Sequence, residues 1–242
     1  MSTGCYAWLM SSQFVRTQTV KTYDDILGYL KDLNQQLMDM NLDKLIPFNH
    51  AYYIVTRTIQ EAANDKYFTN PEFLEAFSVC FANYYFQAVN DLNNNSNKVV
   101  PAWRKIVDNR KQPIFVSLLM GANAHINYDL SLTLIDMMSG ANKRELLSDI
   151  IKVDKLLTKS SKEILNTFNE TNKLLDFIKR HARWLYLRPI MLMILFWRTV
   201  AWRNYRLVDN RDINAQDLVK RSTKISKRLS NLGAILSGSV KL

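Results

Sequence analysis

"PIFVSLLMGANAHINYDLSLTLIDMM", residues 113–138, is apolar on nearly every side yet carries Asn123, His125, Asn127 and Asp129 at its centre. A run of this length with apolar residues all round predicts a helix buried in the middle of a globule, not an amphipathic helix on its surface. Polar groups on such a helix need polar partners, a ligand or bound water, because burying them bare is costly. Residues 113–138 are therefore both the axis of the expected fold and the first place to look for a site.

Working outward, "SGAN" at 139–142 ends the central helix. Upstream, Thr22 with Asp25 predicts a helix start, followed by Ile26, Leu30, Leu33 and Leu37 at helical spacing. Pro47 precedes a second helix with Phe48, Tyr52, Val55 and Ile59 on one stripe. Asn70, Pro71 and Glu72 form a strong start signal for a third, with a stripe of Phe77, Phe81, Tyr84 and Ala88. "NNNSNK" (93–98) reads as a loop and Trp103 as the centre of a short helix. Downstream, 143–178 reads as one long or two shorter amphipathic helices and 182–208 as another apolar one. A last helix begins near Asn214, with Asp217 completing its cap. No useful β alternation or internal repeat is present. The expectation is all-α, a single-domain bundle of about seven helices around 113–138. Residues 1–20 form a loosely ordered arm, 21–242 the helical domain and 214–236 a basic C-terminal helix.

Composition agrees: 48% hydrophobic residues with only 6 Gly and 5 Pro describes a well-filled helical globule. Cys5 and Cys80 are too few for a disulfide framework and form no CxxC pair, which points to a reducing compartment. "MSTGCYAWLMSS" lacks a positive n-region, so the expected location is cytoplasmic. The net charge of +10 is uneven: residues 179–242 hold 14 Lys and Arg against 3 Asp. No phosphate-binding Gly loop, Ser-His-Asp ordering or zinc-finger spacing occurs.

On a regular helix His125 and Asp129 lie about 40° apart, one turn along the same face, with Gly121 flanking them and Asn123 and Asn127 opposite. A His and a carboxylate so placed can share one divalent metal ion, or the carboxylate can orient the imidazole for proton transfer. They can equally form a hydrogen-bonded core pair with no substrate. Gly121 leaves room for close approach by a neighbour or a ligand. Asp136 shares the face but stands roughly 16 Å along the axis, too far to join the pair.

The pattern Gly-x-Asn-Ala-His-Ile-Asn-x-Asp-Leu resembles the mark of a helical family catalogued as a domain of unknown function. "FNHAYYIVTRTI", "NPEFLEAFSVCFANYYFQAV", "PAW" at 101–103 and "WRTVAW" at 197–202 extend the resemblance over most of the chain. It implies a fold and no reaction. A more distant likeness joins His-x-x-x-Asp on a buried helix to the zinc-dependent phospholipases C and single-strand nucleases. The three histidines here, His50, His125 and His181, exclude a trinuclear cluster and leave room for a single ion.

Further candidates for a pocket around His125 are His50 and Arg57 on the second helix and Tyr84 and Tyr85 on the third. Arg198 and Trp202 on the late apolar helix complete the set, with Arg198 suited to an anionic group. Phe81 and Phe86 accompany the tyrosines and read first as core. The run Pro189–Trp197 is nine residues, against about 20 for a membrane span, so it reads as core. Lys220, Arg221, Lys224, Lys227 and Arg228 beside Leu218, Ile225, Leu229 and Leu232 make the last helix basic and amphipathic.

Three readings follow. In the first, the bundle holds a polar pocket that binds a small molecule, with or without one metal ion on His125 and Asp129. The same two residues would be the catalytic pair of a hydrolase or lyase. In the second, the chain is a non-catalytic scaffold and the motif a satisfied core network. In the third, residues 179–242 bind an anionic membrane surface or nucleic acid.

Overall fold

Capping chemistry sets where the first helices begin. The Thr22 side chain accepts from the Asp25 backbone N–H and Asp25 accepts from the Thr22 N–H, opening α1, Tyr23–Asp39. Its stripe of Ile26, Leu30, Leu33 and Leu37 is fully buried. A single 3₁₀ turn leads to α2, Ile46–Asn64, with Pro47 inside its first turn. Asn70 accepts from the Phe73 N–H and Pro71 occupies the first turn of α3, Pro71–Asn93. The short α4 is Pro101–Asp108, with Trp103 fully buried.

The computed structural model describes residues 20–108, 110–138, 143–167, 192–208 and 214–236. The N-terminal arm, "SGAN", His181 and the parts of the two expected helices within 168–191 lie outside these residues. Nine α-helical segments occur among the described residues, with no strand, and they form an all-α bundle. None is long and apolar enough to cross a membrane.

The central helix differs from a regular one. It runs as α5, Ile114–Ala124, then a π turn, His125–Asp129, then α6, Leu130–Met138. The Leu130 N–H donates to His125 O, five residues back, which widens the turn by one residue. The Thr133 hydroxyl donates to Asp129 O at 2.9 Å and the Ser131 hydroxyl to Asn127 O at 3.1 Å, satisfying carbonyls at the wide turn. The extra residue turns everything beyond it by about 100°. Asp136 consequently leaves the His125 face and accepts a hydrogen bond from Tyr84 of α3.

Around this axis pack α2, α3, α4 and α9, Ala215–Leu236. Helix α7, Lys143–Thr167, covers α2 and α3, and α8, residues 192–208, sends Ala201 and Tyr205 into the cluster of Phe77, Leu130 and Leu134. Helix α9 is capped by Asn214, whose side chain accepts from the Gln216 and Asp217 N–H groups. A polar ladder docks it. Asn123 donates to the Ser226 hydroxyl at 2.7 Å and to Ser222 O at 3.1 Å, while Asn127 donates to the Asn123 carbonyl oxygen at 3.0 Å. Arg221 donates to Asn204 of α8 at 2.6 Å. Lys220, Lys224, Lys227 and Arg228 stay exposed on the opposite side.

Gly121 decides how closely α2 and α5 approach. A Cβ there would stand 2.5 Å from Phe48 Cβ and 2.6 Å from Phe48 Cγ, atoms too near the backbone to move aside. Gly28, exposed on α1, has nothing within 4 Å of the same position. We expect Gly121→Ala to cost about 1–3 kcal/mol. Gly28→Ala should instead stabilise by about 0.5–1 kcal/mol through helix propensity. Urea unfolding of both variants checks the contrast.

Candidate functional site

Within the π turn, His125 and Asp129 are in direct contact. His125 Nδ1 lies 3.0 Å from Asp129 Oδ2, with the His and Asp side chains 4% and 2% exposed. Asp129 Oδ1 accepts from the Trp103 indole N–H of α4 at 3.4 Å. Burial pushes the Asp129 carboxyl well up, against the opposing pull of the Trp103 N–H. Burial also pushes His125 well down. Both shifts favour the uncharged pair. In the uncharged pair a proton on Asp129 Oδ2 would be donated to Nδ1, and the imidazole would then carry its own proton on Nε2.

Aromatic rings enclose the imidazole. Phe81 of α3 stacks on it at 3.6 Å between centroids and 12° between planes. Tyr52 and Phe48 of α2 meet it edge-on at 4.6 and 5.3 Å. Tyr85 and Trp103 stand behind them at 6.0 and 6.4 Å. Nε2 is buried and has no hydrogen-bond partner among the described residues. A donor or acceptor left in that state costs about 1–3 kcal/mol.

His125 also lines a cavity of about 160 Å³ bounded by α2, α3, the central helix, α7 and α8. Its wall is almost wholly apolar, including Ala51, Phe77, Leu119, Ile126, Ile150 and Leu157. The lining hydroxyls of Ser78 and Ser161 donate to backbone oxygens of their own helices, Leu74 O and Thr158 O. Arg198 of α8 is the single cationic side chain in the lining among the described residues. It is largely buried and forms an ion pair with Asp154 of α7.

The other expected pocket residues are placed elsewhere, each for a geometric reason. His50 and Arg57 lie about 200° and 180° around α2 from Phe48, on the side away from His125. Arg57 makes two contacts with Glu163 at 2.7 and 2.8 Å. His50 is half-buried with Glu163 and Arg57 as electrostatic neighbours, and burial lowers its pKa. Tyr84 donates to Asp136 at 2.5 Å, and Tyr85 donates to Asn49 at 3.2 Å, behind the aromatic wall. Trp202 lies in a surface depression and packs edge-on against Tyr205. Gly121 accommodates Phe48, and Asn123 and Asn127 serve the docking of α9. Of all these candidates only His125 and Arg198 line the cavity, and Asp129 stands behind His125 rather than in the wall.

In this structure His125 and Asp129 hydrogen-bond each other directly. A common ion would sit about 2.0–2.2 Å from one atom of each residue. Here Nδ1 and Oδ2 face each other across a hydrogen bond, and Oδ1 faces Trp103. Among the described residues no three His, Cys, Asp or Glu side chains gather to hold an ion.

Sequence reasoning did not single out Phe48, Tyr52 or Trp103, which surround or hold the pair. Their signal lay in "FNHAYYIV" and "PAW", where aromatic residues recur at helical spacing but look like ordinary core.

Comparison with curated proteins and with solved structures gives no match. The model of a family of unknown function, DUF5995, spans residues 23–237, from the start of α1 through α9, and the chain belongs to that family.

Proposed function

We propose that the protein binds a small, mainly apolar molecule in the cavity, oriented by a hydrogen bond to His125 Nε2. The observation that carries this reading is a buried imidazole nitrogen, unpartnered among the described residues, on a residue of an almost wholly apolar cavity wall. An apolar cavity of roughly 150 Å³ stays dry and accepts benzene. A cavity of about 160 Å³ therefore suits a ligand of that order, with about six to eight heavy atoms. With the pair uncharged, Nε2–H is a donor, so the ligand presents an acceptor such as a hydroxyl or carbonyl oxygen. Asp129 fixes the tautomer and ring orientation of His125.

The same arrangement speaks against the zinc-enzyme likeness and against a general base. Asp129 and His125 satisfy each other instead of a metal. A protonated Nε2 has no lone pair to take a proton from water or substrate. Binding is thus the activity favoured over a hydrolase or lyase reaction.

Binding is tested by titrating the full chain with 1-hexanol in a calorimeter. Saturable one-to-one binding is expected. Ala51→Phe, which fills the space from α2, should abolish it while leaving the helical circular dichroism intact. A wild-type chain that ignores 1-hexanol, or an Ala51→Phe chain that binds it unchanged, would sink the reading.

The protonation state of the pair has its own signature. His125, with its folded pKa lowered, contributes stability that is lost as pH falls below about 6.5. Asp129, with its folded pKa raised, contributes stability that is lost as pH rises above about 4. Between about pH 4 and 6.5 the two slopes oppose. Relative to wild type, Asp129→Asn should gain stability as pH rises through that window, and His125→Gln should lose it. Urea unfolding at half-unit pH steps measures both slopes.

A further inference from the structure

We propose that the molecule bound in this cavity is a monoanion, a small aliphatic carboxylate whose charged end seats on Arg198, whose apolar chain fills the space between, and whose far end carries a hydroxyl oxygen for His125 Nε2. The proposal rests on the binding function above and names the class of ligand. Arg198 is the only cation in the cavity wall among the described residues, and its side chain is 12% exposed. Asp154 engages Nε, one of five guanidinium N–H donors. The N–H groups on the two Nη atoms make no other hydrogen bond among the described residues, so a planar carboxylate can meet them along a free edge.

Position adds a second argument. Arg198 lines the cavity and also a depression on the surface, together with Asp154, Lys155 and Trp202. It stands at the boundary between apolar interior and solvent. An amphiphile entering there leaves its charged end beside Arg198 and Lys155 and buries only its uncharged part. Among the described residues the rest of the wall offers no other charge, so an anion placed deeper would be stranded. Burial disfavours the Arg198 charge and Asp154 compensates it only in part. A second anion on the open edge would complete that compensation.

6-Hydroxyhexanoate and 1-hexanol place the same six-carbon chain and hydroxyl in the cavity and differ only in the carboxylate that replaces the terminal methyl. Calorimetric titration of the full chain at pH 7 should show 6-hydroxyhexanoate binding about tenfold or more tighter than 1-hexanol, the gain expected of a charge-assisted contact. Arg198→Met should erase that preference. Asp154→Asn removes a repelling carboxylate from the far side of the guanidinium, so it should tighten 6-hydroxyhexanoate several-fold and leave 1-hexanol unchanged. The Asp154→Asn arm and the wild-type comparison decide the matter even if Arg198→Met does not fold. Equal or tighter binding of 1-hexanol by the wild type overturns the carboxylate proposal alone, as does a preference that survives Arg198→Met. Failure of the wild type to bind either probe overturns the binding function beneath it.

Discussion

Asp129 reaches His125 across 3.0 Å inside a π turn, and the middle of the bundle is arranged around that contact. A carboxyl group buried this deeply keeps its place only while both oxygens are engaged. One oxygen depends on the Trp103 indole, which fixes α4 against the central helix. The other depends on an imidazole whose orientation is held by Phe81, Tyr52 and Phe48, which fixes α2 and α3. One pair of ionisable side chains thus ties four helices to a common geometry.

The central helix separates two tasks. Toward α2, α3, α7 and α8 it presents apolar side chains and His125, leaving a cavity. Toward α9 it presents Asn123, whose amide N–H groups meet Ser222 O and the Ser226 hydroxyl, and behind it Asn127, which donates to the Asn123 carbonyl oxygen. The contrast is chemical. The amide chain spends its donors on binding α9 to the central helix, whereas the unpartnered imidazole nitrogen belongs to a residue that lines a cavity able to hold a ligand.

Features that depend on neighbouring residues in the chain were legible from the sequence. Thr22 with Asp25, Asn70 with Pro71 and Asn214 with Asp217 mark helix starts because a cap acts within three residues of itself. The His125–Asp129 contact was legible for the same reason, since i and i+4 meet on any helix. What crosses between helices was not. His50 and Arg57 share α2 with Phe48, but the rotation of α2 about its axis is set by Gly121 and Phe48, and it turns both away. The partner of Asp129 is an indole 26 positions away on an eight-residue helix, a distance no local pattern spans. The π turn was hidden too, because widening by one residue reflects the demands of packing on both sides and leaves little mark in composition.

That wide turn also sets the phase between the two halves of the central helix. Ile114–Ala124 and Leu130–Met138 each keep their own regular spacing, but the second half is out of step with the first by one residue. Removing one residue between 125 and 129 would restore an unbroken α-helix and swing Leu134 and Met138, now fully buried, about 100° off the core. The same length of chain placed as a regular helix could satisfy the His125 side of the bundle or the Leu134 side, but not both. The extra residue acts as a phase shifter, letting one continuous helix serve two cores that a single straight helix could not face together.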